Sequence, residues 1–275
     1  MFETVFTTQH SPIARTWKTA RVTHMTKAAD TATLPLIRTV GLAGILVTFG
    51  NAMSDPANRG AIAFRAHVDA LKWPEVSESM SSLVSAFFRI DLVKHDPAPL
   101  IRRLKQTLDG TDWLQAPLPQ GRKRWAVPAV FGGDRAPQLQ EAADVAGMSV
   151  EDAVHGLTQT TVRVLTVGFA PGQPYLGTLP ENWNIPRLTG VTPNVPACSL
   201  VAAIRQLCLF PYATPTGWRH VGQTAFHPFQ LNRDTPFALT PGDEMRFIAI
   251  SDTELRDIEA FNENGLGGAT WDAIP

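Results

Sequence analysis

After Thr161 the chain stops supporting helices. Short β-prone runs at Arg163–Val167, Leu200–Phe210, Trp218–Thr224 and Glu244–Ile250 alternate with loops dense in proline and glycine, and no useful helical repeat returns before Thr253. Short strands punctuated in this way bury their apolar faces by curling a sheet on itself, so a closed or nearly closed β-barrel is expected.

The chain ahead of this region is patterned differently. Leu42–Phe49 is apolar and ends at Gly50-Asn51, which reads as a strand and turn. Ala61, Phe64, Val68 and Leu71 then recur at the spacing that lines one helix face, with Asn58 as the expected cap and Trp73-Pro74 as the stop. Glu75–Met80 and Leu83–Arg89 read as strands, and Pro97 opens a second helix with Leu100, Leu104 and Leu108 spaced by four. The order β, α, β, β, α predicts a small α/β sandwich over residues 34–112, a sheet covered on one face by two helices. A polar stretch with Gly110, Pro117, Pro119 and Gly121 reads as a linker, 113–124, ending in a solvated basic run, Arg122-Lys123-Arg124.

The second region, 125–255, opens with a strand at Trp125–Phe131 and two short helices near Gln138–Ala146 and Val150–Leu157. Ser149 with Asp152 is a capping signal for the latter. The expected class is therefore α+β. Residues 256–275 read as a tail, frayed from Asn262 through Gly265, Gly267 and Gly268. Residues 1–33, rich in Thr and basic groups, read as an extension that packs poorly, with Met25 as an alternative start.

Bulk properties remove several functions. A chain of 275 residues suits two modest domains, and its formal net charge of -1 provides no field to draw it onto nucleic acid or anionic lipid. Apolar runs such as Val40–Val47 are far shorter than the roughly 20 residues that cross a bilayer. Cys198 and Cys208 stand apart from any Cys or His pair at ligand spacing, and the seven histidines are scattered, so free thiols in a reducing, cytoplasmic setting and no metal site are expected. Neither a G-x-x-x-x-G-K-[ST] nor a G-x-G-x-x-G cradle is present, so the chain carries no recognisable nucleotide motif of its own.

The loop Gly168-Phe169-Ala170-Pro171-Gly172-Gln173-Pro174-Tyr175-Leu176-Gly177 directly follows a strand. Glycine admits left-handed backbone and proline removes freedom, so such a segment suits either a preorganised site or a rigid sheet corner. It resembles the G-F-x-P-G-F-P-Y-L-G signature of the allophanate hydrolase subunit 1 family, which includes KipI and the B subunit of bacterial 5-oxoprolinase. Val127-Pro128, Gly132-Gly133-Asp134, Pro186-Arg187, Val195-Pro196-Ala197, Phe210-Pro211, Gly222-Gln223-Thr224 and Pro241-Gly242-Asp243 follow in the family's order. The chain departs from the pattern at Gln173, where the family shows Phe, at Asn194, and from Ile204 to Cys208, where it shows a glycine-rich run.

The resemblance implies a small α/β domain followed by a cyclophilin-like β-barrel, and a subunit that works only in company. Its implied partners are an allophanate hydrolase subunit 2-type protein, similar to the C subunit of 5-oxoprolinase, and a third oxoprolinase subunit. Its implied reaction is the opening of 5-oxoproline to glutamate at the expense of ATP, with Mg. Two other roles attach to the family: KipI-like inhibition of a sensor histidine kinase, and a lobe of a urea carboxylase or allophanate hydrolase system.

Within such a protein the candidate substrate-binding or interface residues are Pro171, Gly172, Tyr175 and Gly177 of the loop, with Arg187, Gln206, Tyr212, Trp218 and His220. Arg187 would clamp a carboxylate or phosphate, Gln206 would orient an amide and the tyrosines would donate hydrogen bonds. His220 is expected to be exposed on its strand.

Overall fold

A computed structural model describes residues 34–275; the expectations for 1–33 fall outside the described residues. The first strands are β1 (Leu36–Val40) and β2 (Gly44–Thr48), followed by the helix α1 (Asp55–Ala70). Strands β3 (Glu78–Ser82) and β4 (Ser85–Arg89) and the helix α2 (Pro97–Leu108) complete this part. The four strands form an antiparallel sheet in the order β1-β2-β4-β3. Ile45, Val47, Phe64, Phe88, Leu100 and Leu104 share one core between sheet and helices, as the helical spacing predicts.

The cap of α1 lies four residues earlier than expected. Ser54 accepts a hydrogen bond from the Ala57 N–H at 3.3 Å, and Asn58 is instead a fully buried residue inside the helix. The expected linker is also partly core. The Trp113 ring packs edge-on against Phe64 at 5.0 Å, and Arg122-Lys123-Arg124 begins a strand rather than a solvated run.

That strand is β5 (Arg122–Ala129), and the helices α3 (Leu139–Ala146) and α4 (Val150–Gln159) follow. Ser149 caps α4, accepting from the Asp152 N–H at 3.0 Å. Next come β6 (Val162–Val167), β7 (Pro174–Gly177), β8 (Thr192–Val195), β9 (Ser199–Ala203) and β10 (Gln206–Leu209). The chain ends with β11 (Thr214–Thr216), β12 (Arg219–Gln223), β13 (Glu244–Ala249), the helix α5 (Asp252–Ala260) and β14 (Thr270–Ile274). The described residues are thus mixed α+β.

Eight of these strands form one sheet in the order β12-β9-β10-β7-β6-β13-β5-β14, while β8 and β11 pair separately. The sheet is open where a closed or nearly closed barrel is expected from the sequence. Its two ends, β12 and β14, do not pair; the nearest approach to closure is a single bridge from Val130, just past β5, to Gln223 of β12. Closure fails because β5 spends both edges elsewhere, on β13 in parallel and β14 antiparallel. The expected frayed tail therefore supplies a strand. Its glycines have a reason: Gly267 sits at φ +57 against the Ala225–Phe226 backbone, where a Cβ has no room.

Trp125, Val127, Leu176, Trp183, Phe226 and Phe247 form the core under this sheet, with Leu139 of α3 and Leu157 of α4. Each such side chain contributes about 1.5–3 kcal/mol on leaving water. The two cores are stitched together within one compact unit. The Asn58 Nδ2 group donates to the Leu83 carbonyl at 2.6 Å and to the Leu165 carbonyl at 2.9 Å. The Thr166 hydroxyl donates to the Ser81 carbonyl at 2.8 Å.

Candidate functional site

The loop between β6 and β7 is closed on itself. The Gly168 N–H donates to the Gln173 carbonyl at 3.0 Å and the Gln173 N–H to the Ala170 carbonyl at 3.1 Å. Gly172 lies at φ +74 and has no room for a side chain, since a Cβ there would stand 2.5 Å from the Phe229 Cβ. This turn throws Phe169 outward, 86% exposed, and folds the next side chains inward.

Tyr175 of β7 stands opposite Cys208 of β10, and both face a cavity of about 550 Å3. Gln173, Phe210, Arg187 and Trp218 line it as well. The contacts run in a chain. The Gln173 Nε2 group donates to the Tyr175 hydroxyl at 3.3 Å; the Tyr175 ring meets Trp218 edge-on at 6.1 Å; the Arg187 guanidinium lies 5.3 Å above the Trp218 ring. A cation over an aromatic face is held without neutralising its charge, and Arg187 is exposed with no carboxylate partner among the described residues.

Burial pushes the Tyr175 hydroxyl above the ordinary phenol value, opposed by the Gln173 hydrogen bond and the Arg187 charge. Burial also pushes the Cys208 thiol well up, again with Arg187 pulling the other way. Both groups are therefore neutral, and Arg187 is the charge that the cavity presents. An open, aromatic-walled cavity with one cation and a few directional polar groups suits a small anion with hydrogen-bonding functions.

Of the residues singled out in the sequence, Tyr175, Arg187 and Trp218 meet at this cavity. Pro171 is exposed on the loop and Gly172 shapes it. Gly177 pairs with Gln206 in the ladder, and although Gln206 is buried on the same strand as Cys208, it does not line the cavity. Tyr212 is exposed outside it. His220, expected to be exposed, is 4% exposed and its backbone N–H donates to the Gln138 side chain at 2.8 Å. Burial lowers its pKa. It belongs to the join between β12 and α3.

Gln173 had drawn notice only as a departure from a pattern, and Cys208 and Phe210 not at all as site residues. Alternation along β10 places Cys208 on one face and Leu207 and Leu209 on the other, but only the strand register shows that this face meets Tyr175. Among the described residues, no three His, Cys, Asp or Glu side chains converge to hold a metal ion. No helix among them is long and apolar enough to cross a membrane.

This fold and cavity belong to a carboxyltransferase-type protein: residues 35–239 match the family described as carboxyltransferase domain, subdomain C and D, and the chain is a member of it. More particularly, it falls with the allophanate hydrolase subunit 1 and KipI-like proteins. It is 26% identical over 234 residues to the B subunit of 5-oxoprolinase from Bacillus subtilis, covering 82% of this chain and 96% of that protein. It is 32% identical over 155 residues to the B subunit of 5-oxoprolinase from Haemophilus influenzae, covering 56% of this chain and 70% of that protein. The crystal structure of TTHA0988 superposes with a TM-score of 0.64 at 27% identity, over 78% of this chain but only 40% of the other.

Proposed function

We propose that this protein is a subunit of an ATP-dependent 5-oxoprolinase, which opens the lactam of 5-oxoproline to glutamate. The observation that carries the reading is the cavity where Tyr175, Trp218 and an Arg187 without a carboxylate partner among the described residues converge on the Gly168–Gly177 loop, in a chain whose relatives bear that enzyme's name. Arg187 would take the substrate carboxylate and the Tyr175 hydroxyl would donate to a carbonyl oxygen. A lactam carbonyl yields to water once its oxygen is phosphorylated, and donors aimed at that oxygen hold the charge that develops.

Among the described residues no three acid, His or Cys side chains converge, and the sequence has no glycine-rich loop with a lysine at a helix start, so this chain carries no recognisable nucleotide cradle. The nucleotide is accordingly assigned to other subunits: an allophanate hydrolase subunit 2-type protein and a third oxoprolinase protein. The test is phosphate release from ATP by this chain co-purified with both, with and without 5-oxoproline. Release that rises only with 5-oxoproline supports the reading; release indifferent to it refutes it.

One observation favours a second reading. Phe169, 86% exposed on left-handed backbone at φ 73, projects beside the cavity as an apolar knob. Such a residue suits a protein surface, as in a KipI-like inhibitor of a sensor kinase. Binding to a kinase dimerisation domain that Phe169→Ser abolishes would favour it over the enzyme.

A further inference from the structure

Arg187 is exposed on a segment without regular secondary structure between Trp183 and β8, so neither a helix nor a strand holds it at the cavity. That segment runs against the one joining β11 to β12, and three consecutive residues of each meet in opposite order. The Arg219 guanidinium donates from Nη1 to the Pro186 carbonyl at 2.6 Å, the Arg187 guanidinium lies 5.3 Å above the Trp218 ring, and the Leu188 N–H donates to the Gly217 carbonyl at 2.7 Å. A cation–ring contact at a surface favours one arrangement by only about two- to fivefold, so stacking by itself leaves Arg187 free to swing into solvent. The two flanking hydrogen bonds supply what it lacks.

Arg219 is the unusual member of this set. It is 5% exposed at the start of β12 and does not line the cavity. A guanidinium taken out of water is costly unless it is both paired and hydrogen-bonded. Glu141 of α3 pairs with it, its Oε1 accepting from the Arg219 Nε at 3.1 Å. One arm of the fork thus balances the charge, and the other holds a backbone carbonyl one residue from Arg187. The helix behind it is fixed to β12 as well, since the Gln138 N–H donates to the His220 carbonyl at 3.1 Å and the Gln138 side chain accepts from the His220 N–H at 2.8 Å. Resting on the reading above, in which Arg187 takes the ligand's carboxylate, we propose that Arg219 is a positioning residue of this site. It touches no ligand and acts by pinning the Pro186 carbonyl, which sets Arg187 over Trp218 at the cavity.

The test uses two variants and two readouts. Arg219→Lys keeps a charge for Glu141 but loses the planar fork that reaches both partners; Glu141→Gln removes the balancing charge from an exposed position and serves if the first variant does not fold. In the assembled enzyme Arg219→Lys should raise the KM for 5-oxoproline about three- to tenfold, and Glu141→Gln less. The kcat should stay within about twofold, because a carboxylate contact is made in ground and transition states alike. In an Arg187→Gln background neither variant should raise KM further. In the full chain alone, the Leu188 amide should exchange its hydrogen about tenfold faster in Arg219→Lys, while amides of β9 and β10 keep their rates. Unchanged exchange at Leu188, an unchanged KM, or a KM rise of the same size in the Arg187→Gln background overturns the proposal. Exchange needs no substrate: if 5-oxoproline stimulates no phosphate release, the proposed activity fails, and the rate at Leu188 alone decides whether Arg219 holds this segment.

Discussion

At the scale of single residues, charge and backbone conformation make separable predictions. Arg187 is exposed, stacked on Trp218 and paired with no acid among the described residues, so its loss should cost ligand and not fold. Arg187→Gln is expected to raise the KM for 5-oxoproline in the assembled enzyme roughly tenfold or more, since a hydrogen bond to a charged group contributes about 1.5–3 kcal/mol, with an unchanged thermal midpoint. A KM that stays put removes Arg187 from the site. Ile204 and Arg205 join β9 to β10 with φ of 47 and 61, a conformation that suits glycine and strains a β-branched residue. The turn persists because the neighbouring segment straps it: its N–H groups donate to the Ile185 and Trp183 carbonyls at 2.8 and 3.0 Å. Ile204 is 43% exposed, so little packing opposes relief. Ile204→Gly should stabilise the protein by about 0.5–1 kcal/mol, the strain released less the added freedom of the unfolded chain, read as a higher urea midpoint. A lower midpoint would show that the isoleucine packs more than it strains.

At the scale of elements, the join between the four-stranded sheet and β6 rests on few groups. Asn58 of α1 reaches the turn before β4 and the middle of β6 with one amide nitrogen. Asn58→Leu leaves two carbonyls without their donor and should cost about 2–4 kcal/mol by denaturant unfolding; a loss below about 0.5 kcal/mol would mean that packing alone holds the join. The same residue shows how much the sequence discloses. Apolar spacing marks α1 and α2, a capping signal marks α4, and β-prone runs mark β5, β6, β12 and β13, whereas β9 and β10 read as one run and β7 as loop. Asn58 read as a cap because nothing local separates a capping asparagine from a buried tie whose partners lie 25 and 107 positions away. Strands β1 and β14 escaped notice because they are mostly exposed and lack an apolar face. The cavity was half legible: the turn chemistry marked the loop and Tyr175, whereas Gln173 and Cys208 join it through strand register, which no spacing encodes.

At the scale of the molecule, one buried and one half-buried histidine tie stability to pH. Burial holds His220 and His227 below the ordinary value of 6.5, and for His227 the nearby Arg233 adds to the effect. The unfolded chain then binds more protons than the folded one between the two values, so this stability is full above pH 6.5 and is lost as pH falls through the folded-state values. The free energy of urea unfolding should drop between about pH 7 and 5, ahead of any acid transition of the carboxylates, and His220→Gln with His227→Gln should flatten it. An unchanged slope in that double variant would assign the loss to other groups. Burial also pushes the Cys198 thiol up to about 12, and Cys208 higher than usual, so both should resist alkylation at neutral pH until the protein unfolds.

The position of β5 carries a consequence for biosynthesis. Its first partner along the chain, β13, lies 120 residues downstream, and β14, its other partner, comes later still. During synthesis β5 therefore leaves the ribosome with both edges bare and waits until β13 and β14 have followed it. Such an unpaired strand is a template for misassembly. Chains stopped before Glu244 should thus be recovered as aggregates or chaperone clients, and refolding should be slow, because β5 is paired only by strands far downstream of it.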